Sequence, residues 1–113
     1  MTIGIFLETV AKAQRVVTYQ DVVSSFNYLP PLKGNWNAHP LSAIFETLDQ
    51  EDAYKKRPFR TSVVVKKDAA NRMPGAGFFD ALERLKGIVC RNEAARQQAW
   101  IAELNAAHGF AWP

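Results

Sequence analysis

The chain has 113 residues, of which 48% are hydrophobic and 22% are charged, and its formal net charge is +3. This composition is typical of a globular domain and excludes a disordered chain, and the single cysteine excludes a disulfide scaffold. The mild basic excess permits nucleic-acid binding without requiring it.

The N-terminal segment MTIGIFLETVAKAQR lacks the basic region, the long apolar run and the cleavage pattern of a signal peptide. No apolar stretch approaches the roughly 20 residues that a membrane span needs. We therefore expect a cytoplasmic protein without membrane contact.

The first predicted helix covers about 3–14. Apolar residues recur at helical spacing from Ile3 to Val10, and Thr2 is a suitable cap for the helix start. A short extended link follows at 15–17.

The second predicted helix covers about 19–27. Thr18, with Asp21 three positions later, resembles a capping box in which aspartate replaces glutamate. The next segment, about 29–40, contains three prolines, a glycine and two asparagines, so it is predicted to be a loop.

The third predicted helix covers about 40–56, since proline is well suited to a first helical position. The β-branched segment 61–66 predicts a strand. A turn at 68–77 and a second strand at 77–79 would complete a hairpin.

Two further helices are predicted. One ends at Gly87, a residue type that commonly terminates helices, and the other, about 93–107, starts after the cap Asn92. The last helix and the tail, with Trp112, carry more apolar surface than a small core hides. They either pack across the domain or form a homodimer contact.

Three helices followed by a hairpin are the order of a winged helix-turn-helix. We therefore predict a single α+β domain over 1–113, with a winged-helix core at about 3–87 and an additional C-terminal helix.

Three motifs also resemble a set of small uncharacterised bacterial and phage proteins that look like winged helices. The motifs are VTYQDVV at 17–23, HPL at 39–41, and PFR at 58–60 continuing through VVV to MPGAGFF at 73–79. The resemblance covers about 16–87, and it implies the fold but no defined activity.

The VTYQD segment is also similar, more loosely, to the DNA-binding domain of alkylguanine-DNA alkyltransferase-like proteins. Active members of that family carry Pro-Cys-His-Arg near a later strand, whereas this chain has Pro58-Phe59-Arg60. Because the thiolate acceptor is missing, the resemblance implies a non-catalytic binder rather than an alkyl-transfer enzyme.

Seven basic residues and one acid, Asp68, lie between positions 55 and 72. Such local charge asymmetry suits a phosphate-binding edge, although a solvated basic hairpin is an equal alternative. The predicted nucleic-acid contacts are Lys56, Arg60, Lys66, Lys67 and Arg72, with Tyr19, Asn37 and Ser42 near the DNA groove.

The third helix argues against a recognition helix, because its carboxylates would repel the DNA backbone. The alternative hypothesis is therefore a protein-interaction module, such as a phage-encoded modulator of a host complex. It would use an acidic helix face and aromatic anchors: Trp36, Glu46, Asp49 and Trp112.

No catalytic residue, cofactor or metal site is predicted. His39 and His108 have no metal-type partners at helical spacing, and Cys90 has no second cysteine nearby. The segment 73–77 lacks the Gly-Lys-Ser/Thr end of a P-loop. We therefore expect a non-enzymatic protein with DNA or a protein as its partner.

Overall fold

The structure is a computed structural model that describes residues 1–67 and 72–113. These residues form α1 (Ile3–Lys12), β1 (Val17–Thr18), α2 (Tyr19–Ser25), α3 (Pro40–Tyr54), β2 (Val64–Val65), α4 (Ala76–Lys86) and α5 (Glu93–Gly109). Two 3-10 helices, Trp36–Ala38 and Arg60–Val63, precede α3 and β2. The predicted turn at 68–77 lies partly outside the described residues.

The caps predicted for the first two helices are present. The Thr2 side chain accepts a hydrogen bond from Ile5 N, and Thr18 with Asp21 forms the reciprocal capping box. Both helices end two residues before the predicted position. After α1 the chain turns at Gln14, which has a positive φ of 56°.

The sheet differs from the predicted hairpin. β1 and β2 pair in parallel, with Val17 opposite Val64 and Thr18 opposite Val65. The first half of the predicted strand 61–66 instead belongs to the 3-10 helix Arg60–Val63.

The second predicted strand, at 77–79, is wrong because these residues belong to α4. Phe78, Phe79 and Leu82 are all buried, and their spacing is that of a helix face that packs on a core. As predicted, the helix ends at Gly87, whose φ of 70° is a left-handed conformation that glycine adopts readily.

The buried apolar residues form two clusters. The first joins α1, α2 and α3 to the strands and includes Leu7, Val22 and Leu41. The second packs Phe59 against the inner face of α4. α5 contacts both, because Ala107 belongs to the first cluster and Trp100 packs against the second.

The architecture is therefore mixed α and β, as predicted in broad class. In the described ranges the sheet has two parallel strands, and residues 26–39 separate α2 from α3. A helix-turn-helix normally has a turn of about 3–4 residues there. No helix within the described residues combines the length and apolar character that crossing a membrane requires.

Candidate functional site: an aromatic pocket beside a basic groove

A pocket of about 700 Å³ lies between α3 and the N-terminal half of α4, with residues of the loop before α3 along its side. Its volume is within the range of small-molecule sites, about 300–1,000 Å³. Tyr19 of α2 and Thr61 of the second 3-10 helix also line it. Five parts of the chain, four of them helical, therefore build one cavity.

Aromatic rings make up one part of the pocket wall. The ring of Tyr19 lies 5.3 Å from that of Trp36 and 6.0 Å from that of Phe45, measured between centroids. Trp36 stacks on His39 with an interplanar angle of 8°. His39 is held in turn by Leu41 N, which donates to its Nδ1, and by Pro30 O near its Nε2. The stacking on His39 therefore fixes the half-buried indole of Trp36 as part of the pocket wall.

The start of α4 forms a second part of the wall. Gly75 N donates to the Tyr19 hydroxyl at 2.9 Å, which ties α2 to the entry of α4. Burial raises the pKa of Tyr19 to about 12, so the phenol stays protonated. The next two amides, of Ala76 and Gly77, belong to the first turn of α4, where N–H groups have no acceptor within the helix.

A buried carboxyl group, that of Asp49, lies at the side of the pocket. Its residue is 4% exposed, and Thr61 Oγ1 donates to its Oδ1 at 2.6 Å. Burial raises the pKa of Asp49 to about 7, and the neighbouring acids Asp52 and Glu46 add to this effect. The pocket thus contains an acceptor group that water barely reaches.

The rim carries an ion pair. Arg84 of α4 donates to both carboxylate oxygens of Glu46 on α3, at 3.0 and 2.9 Å. The hydrogen bonds from Arg84 hold the pKa of Glu46 below its ordinary value. Glu46, proposed from sequence as part of a free acidic face, is therefore paired within the molecule.

The other acids of α3 are also engaged. Asp52 is fully buried and accepts hydrogen bonds from Arg57 Nε and from the backbone N and Nε of Arg60. Arg60 also donates to Glu8 of α1 and to Glu51. The guanidinium of Arg60 is 5% exposed in this cluster. The sequence predicts that Arg60 contacts phosphate. That prediction is wrong, because the guanidinium is enclosed by carboxylates.

A second, basic groove of about 460 Å³ adjoins the pocket at Ala76. Its charged lining residues are three cations, Lys66, Arg91 and Arg96, and one acid, Glu93. Arg96 also lies over the Phe79 ring, 5.1 Å from its centroid. Positive charge therefore dominates this groove.

The groove begins at the predicted basic turn. Lys66 N donates to Met73 O at 2.9 Å, so the two stems of this loop are joined. Lys67 and Arg72 are exposed on the stems. Residues 68–71 lie outside the described part of the chain.

The remaining predicted residues are dispersed. Lys56 is exposed beyond the end of α3, and Asn37 and Ser42 line the aromatic pocket. Trp112 is buried in the first core cluster, where its Nε1 donates to Ala107 O, so it is no surface anchor. Asp49 likewise is buried rather than part of an acidic surface.

Sequence reasoning missed Arg84, Arg91 and Arg96. They lie outside the basic run at 55–72, and the folded chain brings the last two beside Lys66. A helical projection places Arg84 on the side of α4 away from Phe78 and Leu82, but it cannot show that Glu46 of α3 is its partner.

No cluster of three or more His, Cys, Asp or Glu that could hold a metal ion occurs within residues 1–67 and 72–113. Comparison with protein-family models, with curated proteins and with solved structures finds no match to this chain.

Proposed function

We propose that this protein is a non-enzymatic nucleic-acid-binding protein, with DNA as its first candidate ligand, and that phosphates lie along the basic groove. The observation that supports this function is the convergence of Lys66, Arg91 and Arg96 on one groove beside the exposed Lys67 and Arg72. Cations so arranged neutralise successive phosphates and release their counterions.

The start of α5 supports the same function. Asn92 caps this helix by accepting from Ala95 N, and Arg91 and Asn92 line the groove. A helix N-terminus carries partial positive charge that favours phosphate nearby. Glu93 opposes this effect, so the arginines carry most of the attraction.

The acids of α3, which argued against DNA binding, no longer do so. Glu46 pairs with Arg84, Glu51 with two arginines, and Asp52 is enclosed. In the proposed binding mode α3 does not enter the major groove. The binding mode does not depend on a winged helix: the predicted two-stranded wing is replaced by a loop whose stems are joined by the Lys66 N to Met73 O hydrogen bond.

The test is fluorescence anisotropy with random duplex DNA at several salt concentrations, comparing the parent with Lys66→Glu/Arg91→Glu. We expect the variant to bind at least tenfold more weakly at low salt. Its slope of log affinity against log salt should shrink by about 1.8, because each lost phosphate contact contributes about 0.9.

The matched control is Arg15→Glu/Lys55→Glu, which makes the same change in net charge at exposed residues outside both cavities. Equal weakening by both double variants would reduce the effect to overall charge and contradict the groove. Absence of binding by the parent at low salt would overturn the function.

The single cysteine offers a second readout in the same experiment. Cys90 is half-buried and lines the basic groove. Bound duplex is expected to slow alkylation of its thiol severalfold, and unchanged alkylation would place the DNA elsewhere.

The alternative proposal remains a protein-interaction module. It would depend on exposed apolar residues, such as Ile101 of α5 at 41% exposure and Phe110 at 37%, rather than on an acidic face. A pull-down that recovers one stoichiometric protein partner, or a second copy of the chain in sedimentation, favours this alternative if duplex binding is absent.

A further inference from the structure

The aromatic pocket has no role in the phosphate contacts just proposed. We propose that it binds a single nucleobase, and that guanine, whose ring N–H and amino group are adjacent donors, is the preferred base. The site would accept the base from a free nucleoside or from an unstacked position in a strand. The proposal goes beyond phosphate binding and does not require it.

The aromatic lining of the pocket suits a planar ring. Tyr19, Trp36 and Phe45 surround part of the cavity with their rings within about 6 Å of one another. Aromatic side chains stack on any base, because every base has a π-face. The volume of about 700 Å³ leaves room for a base and an attached sugar.

The polar groups of the pocket determine which nucleobase fits best. In its ionised form the Asp49 carboxylate only accepts hydrogen bonds. Thr61 occupies one position on Oδ1, and among the described residues no further donor reaches this carboxylate. Both oxygens therefore retain acceptor capacity for two adjacent N–H groups.

Guanine alone among the common bases presents such a pair of donors side by side. Adenine and cytosine place a ring acceptor next to their amino group, and uracil and thymine flank their single N–H with carbonyls. An acceptor set against a buried carboxylate is repelled and left unsatisfied. Ala76 and Gly77 also line the pocket, and their first-turn amides, which have no acceptor within α4, would donate to the ring carbonyl of guanine.

The experiment is calorimetric titration of the intact chain at pH 8 with free guanosine, inosine, adenosine and uridine. Inosine is the sharpest comparison, because it differs from guanosine only by lacking the amino group. We expect guanosine to bind at least tenfold more tightly than inosine, since only guanosine donates a second hydrogen bond to the charged carboxylate.

Two variants assign the effect to the pocket. Asp49→Asn should reduce the preference for guanosine over inosine to less than threefold, because an amide offers one acceptor and one donor. Trp36→Ala should weaken all nucleosides together. Tyr54→Ala, which removes an aromatic ring that is 87% exposed and outside the pocket, is the matched control. Circular dichroism and thermal melting check that each variant folds.

A thymine oligonucleotide with one guanine, compared with the same oligonucleotide with one inosine, separates the two sources of the base. A guanine preference seen only in the oligonucleotide supports the pocket and assigns its base to a strand. Equal affinity for guanine and inosine in both formats overturns the proposal. Because guanosine carries no phosphate, failure of duplex binding in the groove leaves this result unaffected.

Discussion

At the scale of single residues, the free-energy cost of burying a charged group explains how the buried acids of α3 are partnered. A carboxylate leaves water at a high free-energy cost unless it is paired or hydrogen-bonded. Asp52 meets this cost with two arginines, whereas Asp49 has a neutral partner, Thr61. The two acids are three positions apart on α3, and burial raises the pKa of Asp49 to about 7.

This difference predicts a pH-dependent stability. The folded-state pKa of Asp49 lies above its ordinary value of 3.8. The free energy of unfolding should therefore fall as pH rises from about 4 to about 7 and then level off, by up to about 4 kcal/mol. The charged groups around Asp49 are Glu46, Asp52 and Arg84. Hydrogen bonds from arginines lower the pKa values of Glu46 and Glu51, so protonation of these two acids changes the free energy of unfolding only below about pH 4.5.

Urea unfolding at pH 5 and pH 8 measures the effect. Asp49→Asn keeps an oxygen for the Thr61 hydroxyl but cannot ionise. Its stability should change less between the two pH values and exceed that of the parent at pH 8. Parallel losses in both proteins would assign the pH dependence to another group.

At the scale of elements, α1 is held against the 3-10 helix Arg60–Val63 by close contact as well as by charge. Gly4 is the second residue of α1, in its first turn, where replacing glycine by alanine gains less than the roughly 1 kcal/mol it gains inside a helix. A Cβ at Gly4 would lie 2.8 Å from Arg60 Nη1 and 3.2 Å from Leu48 Cδ2. Arg60 cannot withdraw freely, because Asp52, Glu8 and Glu51 hold it.

Gly4→Ala should therefore destabilise the protein by about 1–3 kcal/mol, as overpacking does. Gly109→Ala is the control, since a Cβ on this helical glycine meets nothing within 4 Å. Thermal melting of both variants tests the contact, and a rise in melting temperature for Gly4→Ala would mean that the arginine cluster yields easily.

At the scale of the whole molecule, α5 is held to the rest of the domain by partly buried polar contacts as well as by its apolar packing. Glu103 accepts from Phe59 N at 2.8 Å and from Lys86 Nζ of α4. Trp100 Nε1 donates to Ser62 O. These bonds fix α5 against α4, and with it the basic groove between Lys66 and Arg96.

Glu103→Ala should lower the free energy of unfolding by about 2–4 kcal/mol, because it leaves a backbone amide and an ammonium group without their acceptor. Gln97→Ala, at an exposed position of the same helix, is the control. Urea denaturation measures both, and equal stabilities would show that α5 docks through its apolar contacts alone.

Signals from neighbouring residues in the sequence were sufficient to predict where several helices begin and end. The Thr18–Asp21 capping box, the proline start of α3 and the Gly87 terminus depend on neighbouring residues, and each is present. The error at 77–79 arose because two adjacent phenylalanines fit a strand or a helix, and packing of both against Phe59 and Leu82 selected the helix.

The sequence by itself determined the broad mixture of α and β, most helix positions and the basic character of the loop around Lys66. Only the tertiary structure decided which charges are free, because pairing joins residues as distant as Glu8 and Arg60 or Glu46 and Arg84. It also created both cavities, since each is lined by segments far apart in the chain. Charge runs and spacing describe neighbours along the chain, whereas burial and ion pairing depend on neighbours in space.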